Sequence, residues 1–157
     1  MQLFNRIPSI DLSKLTSIFE IGGGYGSLCR LIRRLGFQGN YTILDLPEFS
    51  CLQKIYLQKI GVGLNNISFI NNIDTSIDVD LFISFWAIDE VPKVLRNKVL
   101  ELVKPKMILI AYNNADRSKN LFNNPDCLSE LKKNTNYNWL EYEMHLPGNY
   151  YLIGEIK

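Results

Sequence analysis

Ser17-Ile-Phe-Glu-Ile-Gly-Gly-Gly-Tyr-Gly-Ser-Leu-Cys-Arg-Leu-Ile-Arg-Arg-Leu-Gly36 decides the reading of this chain. Ser17 to Ile21 is a short run of β-branched and aromatic residues, the composition of a strand. Beyond it Leu28, Leu31, Ile32 and Leu35 fall at i, i+3, i+4 and i+7, one apolar helix face ended by Gly36. Gly22, Gly23, Gly24 and Gly26 therefore lie where a strand turns sharply into a helix. There the missing side chains let a ligand rest on backbone N–H groups at the helix N-terminus. A dinucleotide fingerprint needs glycine at the first, third and sixth positions, and counting from Gly22 the sixth is Ser27. The pattern is G-x-G-x-G, which disfavours a nicotinamide cofactor. A tight turn without a ligand remains the structural alternative.

Outward from this unit, short apolar runs alternate with helical periodicity, the signature of βαβ units and a mainly parallel sheet. Tyr41 to Leu44 is a second strand ending at Asp45. Pro47 then suits the first turn of a helix carrying Phe49, Leu52, Ile55, Tyr56 and Ile60 inward, stopped by Gly61 and Gly63. Ile67 to Ile70 is a third strand. Asp80 to Phe85 is a fourth, whose nearly unbroken apolarity predicts burial on both faces and a central position. A helix from about Lys93 to Val103, with Leu95, Val99, Leu102 and Val103 inward, leads through Lys104-Pro105 to a fifth strand, Met107 to Ala111. A polar loop and a helix around Leu128 to Leu131 follow. Trp139 to Met144 and Tyr150 to Ile156 are separated only by His145-Leu-Pro-Gly-Asn149, which forces an antiparallel hairpin. The expectation is an α/β fold with a mostly parallel seven-stranded sheet, a C-terminal antiparallel hairpin and helices on both faces.

Asp45 ends the second strand beside the first strand's glycine turn, where a carboxylate can accept hydrogen bonds from both hydroxyls of a ribose. Capping the helix that begins near Pro47 is its alternative role. Phe19 to Leu31, Tyr41-Thr-Ile-Leu-Asp-Leu-Pro-Glu48 and Asp80-Leu-Phe-Ile-Ser-Phe-Trp-Ala-Ile-Asp-Glu-Val-Pro92 together resemble the sugar O-methyltransferase family of class I S-adenosylmethionine-dependent enzymes. The resemblance covers residues 17 to 112 well and the hairpin loosely. It implies a Rossmann-like methyltransferase fold with S-adenosylmethionine as cofactor. Glu20, Gly22, Gly24 and Gly26 would surround the methionine part, and Asp45 would take the ribose. Gly23 and Tyr25 complete the turn, and Leu46 adjoins Asp45. Asn72 and Ile73 follow the third strand where the adenine is expected, and Ser84 and Phe85 end the fourth.

Methyl transfer to a hydroxyl needs in-line alignment and a base for the hydroxyl proton. Asp89 and Glu90 follow the fourth strand and are candidates, although acids before Val91-Pro92 equally suit a helix cap. His145, the sole histidine, is a third candidate, set against a solvated place in the hairpin turn. Phe85 and Trp86 could floor a sugar or fill core. Arg30, Arg33 and Arg34 read as a solvated helix face.

The 157 residues fit one domain, residues 1–157, without an N-terminal lid. A formal net charge of +1 with 46% hydrophobic residues gives no field to capture nucleic acid. Cys29, Cys51 and Cys127 lack the paired spacing of metal sites or disulfide frameworks, so free buried thiols and no metal are expected. No run approaches the roughly 20 apolar residues that span a bilayer, so the expectation is a cytoplasmic protein with no membrane partner. The leading function is O-methylation of a hydroxyl on a sugar or glycan precursor, with a second subunit or a companion protein completing the acceptor site. A catalytically silent domain that binds cofactor or a partner protein is the alternative.

Overall fold

The computed structural model describes residues 10–113 and 127–157. The strands are β1 (Ser17–Ile21), β2 (Asn40–Leu44), β3 (Ile67–Ile70), β4 (Ile77–Phe85), β5 (Val103–Asn113), β6 (Tyr137–Glu143) and β7 (Asn149–Ile156). The helices are α1 (Ser27–Arg34), α2 (Pro47–Lys59), α3 (Lys93–Leu102) and α4 (Cys127–Lys132). One seven-stranded sheet has the order β3-β2-β1-β4-β5-β7-β6. The first five strands run parallel, and β7 enters antiparallel between β5 and β6. The sheet is therefore mixed, and the hairpin is folded into it with β6 at the edge. The polar loop expected after β5 falls in residues 114–126, outside the described residues.

β4 is central, as its composition requires. Its side chains are shared between two cores: Val79 and Phe82 belong to the one covered by α3 and α4, Leu81 and Ile83 to the one covered by α1 and α2. Burying each such side chain contributes roughly 1.5–3 kcal/mol. At the N-terminal end of the sheet Asp80 ties three strands together. Its Oδ2 accepts from Thr16 N (2.6 Å), Thr16 Oγ1 (2.7 Å) and Ser17 N (3.1 Å), and its Oδ1 accepts from Lys106 Nζ at 2.7 Å.

Three helix faces differ from the periodicity. In α2 the buried residues are Ser50, Gln53 and Leu57, while Phe49, Leu52, Ile55 and Ile60 are exposed. The inward face is chosen by what the glycine turn needs, a polar side chain at Gln53, and not by the hydrophobic majority. In α1 Cys29 and Ile32 are buried and Leu31 is exposed, and Arg33 is half-buried, donating to Phe37 O and Asn66 O at 3.0 Å each. In α3 Arg96 is buried beside Val99. Cys29 and Cys127 are buried free thiols, but Cys51 is exposed on α2. Among the described residues no helix is long and apolar enough to cross a membrane.

Candidate functional site

The chain passes from β1 outward to β2 and β3, then returns to place β4 on the other side of β1. The gap between the C-terminal ends of β1 and β4 is the switch point at which open α/β sheets bind ligands. The glycine turn stands there. Gly22, Gly24 and Gly26 have φ of 74°, 55° and 96°, and Gly26 is the N-cap of α1. A Cβ on Gly23 would lie 2.7 Å from Ile43 Cγ2, so this glycine answers to packing. A Cβ on Gly24 would meet nothing within 4 Å. Gly36, Gly61, Gly63 and Gly148 are equally open, so at Gly24 it is the left-handed φ and not packing that asks for glycine, and the backbone there is left uncovered.

Asp45 lies at the end of β2, directly beside this turn. Its Oδ2 accepts from Gly24 N at 3.2 Å and from Gln53 Nε2 at 2.8 Å, and its Oδ1 accepts from Leu46 N at 2.8 Å. Among the described residues the N-cap of α2 is Leu46 without a side-chain cap bond, so Asp45 serves the turn and not the helix. A carboxylate has about four acceptor positions, so capacity is left for a ribose hydroxyl. Gln53, which periodicity did not single out, also donates to Gly24 O at 2.9 Å. Only the contact reveals it, because an isolated glutamine in a helix carries no sequence signal.

Glu20 is 2% exposed and accepts from Tyr41 Oη at 2.8 Å. Burial, reinforced by the nearby Asp45 charge and opposed by the Tyr41 hydrogen bond, pushes its carboxyl up to about 7. Ser84, at the end of β4, is fully buried, and its Oγ has no hydrogen-bond partner among the described residues. An orphaned hydroxyl at the switch point fits a site built for a polar ligand. Tyr25 and Leu46 are exposed at the rim, Tyr25 edge-on to Tyr56 at 4.9 Å. Asn72 is exposed and donates to Asp74 Oδ2 at 2.7 Å, while Ile73 is buried in the core of the α3 face.

After β4 the chain turns through Trp86, whose φ of 53° is a left-handed conformation unusual for a bulky residue. Trp86 is 44% exposed and edge-on to the half-buried Phe85, so Trp86 does not fill core. Asp89 is half-buried and Glu90 exposed in the following turn. Among the described residues no side chain caps α3, whose N-cap is Pro92. His145 is exposed in the β6–β7 connection. It lies at the same end of the sheet as the glycine turn, but β6 is four strands from β1, roughly 19 Å at about 4.8 Å per strand. The fold thus gathers the turn, Asp45, Ser84 and the Trp86–Glu90 segment, and leaves His145 at the far edge.

No family model matches this sequence, and no curated protein matches it. Solved structures do. The methyltransferase domain of bacterial CtHen1 aligns with a TM-score of 0.73 and 14% identity over 99% of this chain and 97% of that one. Mitomycin 7-O-methyltransferase MmcR gives 0.71 and 12% over 96% of this chain and 51% of that chain. The S-adenosylmethionine-dependent methyltransferase SibL gives 0.68 and 15% over 99% and 55%. The chain thus spans about half the length of MmcR and SibL. These likenesses establish the fold, an α/β architecture with a seven-stranded mixed sheet of the class I methyltransferase type.

Proposed function

We propose that this chain binds S-adenosylmethionine at the glycine turn and uses it to methylate a hydroxyl group. The observation that carries the reading is the Gly22-x-Gly24-x-Gly26 turn at the switch point, with open space at Gly24 and Asp45 bonded to its backbone. SibL and MmcR, both solved as methyltransferases on this fold, support it. Asp45 exchanges its weak 3.2 Å bond from Gly24 N for the ribose hydroxyls while Gln53 keeps it oriented. Ser84 supplies a buried hydroxyl to the methionine end. When bound, S-adenosylmethionine supplies a methyl group on a positively charged sulfur. The chain's task is to align an acceptor oxygen with it and receive the proton. Asp89 and Glu90, in the turn beyond β4, are the proposed bases, and His145 stands at the far edge of the sheet.

The acceptor proposed is a sugar or glycan precursor, supported by the sequence resemblance and by the exposed Trp86 indole, whose face suits the C–H surface of a pyranose. A second copy or a companion protein would wall this open side. The remoteness of His145 favours the second reading, cofactor binding without turnover.

Calorimetry with S-adenosylmethionine and with NAD tests the cofactor. The methyl donor binds and NAD does not, and Asp45→Ala weakens the donor by about 1–3 kcal/mol. NAD binding without donor binding overturns the proposal. Methylation of a panel of sugars and nucleotide sugars, with light scattering to fix the oligomeric state, separates the active from the silent reading.

A further inference from the structure

The outer face of α2 is apolar although it lies on the molecular surface. Leu46, Phe49, Leu52, Ile55 and Ile60 are each at least 40% exposed. They are five of the thirteen large apolar side chains exposed among the described residues, gathered on one helix and its two caps. Exposed apolar residues scattered singly are ordinary, whereas such a cluster marks an interaction surface. It runs on toward the glycine turn, because the exposed Tyr25 ring stands edge-on to the half-buried Tyr56 ring.

The second observation is the charge at each end of this face. Ser50, Gln53 and Leu57 set the buried direction of α2. At about 100° per residue Phe49, Leu52, Ile55 and Tyr56 then form one stripe beside it. Glu48 stands on the same stripe in the first turn and Lys59 in the last, 11 residues and about three turns apart. Both are exposed, and neither has an ion-pair partner among the described residues. A stripe with an acid at one end and a base at the other is complementary to itself when turned end for end. About a two-fold axis between Gln53 and Lys54, Glu48 meets Lys59 of a second copy, Leu52 meets Ile55 of that copy, and symmetry repeats both pairs. Antiparallel packing also sets the two helix dipoles in opposition, which adds to the attraction.

We propose that the outer face of α2 is a self-association surface, on which a second copy of this chain docks its own α2 in antiparallel orientation. Leu52 and Ile55 form the apolar centre, and the two Glu48–Lys59 pairs at the ends fix register and direction. A helix of 13 residues is about 20 Å long, so the contact is small and the dimer depends on protein concentration. The surface is independent of methyl transfer and stands whether or not that reading does.

Sedimentation velocity over about a hundredfold range of protein concentration tests the proposal. The mass of the parent chain should rise from monomer toward dimer, and Leu52→Arg should stay monomeric throughout. Glu48→Lys and Lys59→Glu each set like charges against one another at both ends of the pair, and each should weaken association by about tenfold or more. The double variant restores opposite charges and should return to within about threefold of the parent affinity. All three positions are exposed, so the variants keep the fold, which a thermal melt checks. Rescue by the double swap singles out a second copy, because exchanging two charges within one chain does not restore its fit to a different partner. A parent that is monomeric at every concentration overturns the proposal and leaves the face to another occupant. Self-association that survives Leu52→Arg, or a double swap as weak as the single ones, overturns it as well.

Discussion

Glu20 makes the stability of this protein fall as the pH rises through neutrality. Its carboxyl titrates near the ordinary 4.5 in the unfolded chain and near 7 in the fold, where burial excludes the charged form. Between those values the folded state holds a proton that the unfolded state has released. Stability therefore declines with pH across the window and levels off above it. The difference of 2.5 units between 4.5 and 7, at about 1.36 kcal/mol each, is about 3 kcal/mol. Glu20→Gln keeps an acceptor for the Tyr41 hydroxyl and cannot ionise. Urea unfolding of both proteins from about pH 5 to about pH 8 isolates the effect, because every other group titrates alike in the two chains and cancels. The variant should gain about 3 kcal/mol relative to the parent across that range. Tyr41→Phe removes the hydrogen bond that lowers the carboxyl and should extend the decline to higher pH, with its onset unchanged. Parallel stability profiles for the parent and Glu20→Gln would refute the reasoning, since a carboxyl that stays ionised in the fold would leave no proton to lose.

Two further substitutions probe the turn and the base of the sheet. Gly23→Ala drives a methyl toward Ile43 Cγ2 and should cost about 1–3 kcal/mol of stability. Gly24→Ala meets no protein atom, so its stability loss should be limited to about 1–2 kcal/mol of left-handed strain. Its larger effect should be on S-adenosylmethionine affinity by calorimetry; unchanged affinity would mean that no ligand lies there. At Asp80 burial pushes the carboxyl up, but Lys106 and the Thr16 and Ser17 donors outweigh it and hold it well below its ordinary 3.8. The stability it contributes is present above about pH 4 and lost as the pH falls further. Asp80→Asn should cost about 1–3 kcal/mol at neutral pH and flatten the acid limb of the denaturation profile, and an unaltered acid limb would contradict this.

The candidate site was half legible in advance. The Gly22–Gly26 turn and Asp45 announce themselves through composition and position. Ser84 was named from the resemblance, though not its unpartnered hydroxyl, and Gln53 was not named at all, because its significance is a bond to a turn 29 residues away. Trp86 read more readily as core than as surface, since nothing local predicts a left-handed tryptophan after a strand.

Local signals determined the elements: β-branched runs made β1 to β7, 3.6-residue spacing made the helices, and the five-residue link after Met144 made the last two strands antiparallel. These are properties of a few consecutive residues, and the tertiary structure kept the elements but moved their ends: β4 begins at Ile77, and β5 at Val103, where the end of a helix and a Lys104-Pro105 link were expected. Only the tertiary structure decided which face each helix buries, because a helix with apolar residues on several sides has no preferred direction until a partner is present. In α2 that partner is the glycine turn, and the hydrogen bonds of Gln53 to Gly24 O and Asp45 turned Phe49, Leu52 and Ile55 outward. In α3 the neighbouring α4 put Arg96 inside against Glu130. Periodicity measures how much apolar surface a segment can offer, whereas the choice of face depends on long-range polar contacts that no short window of sequence contains.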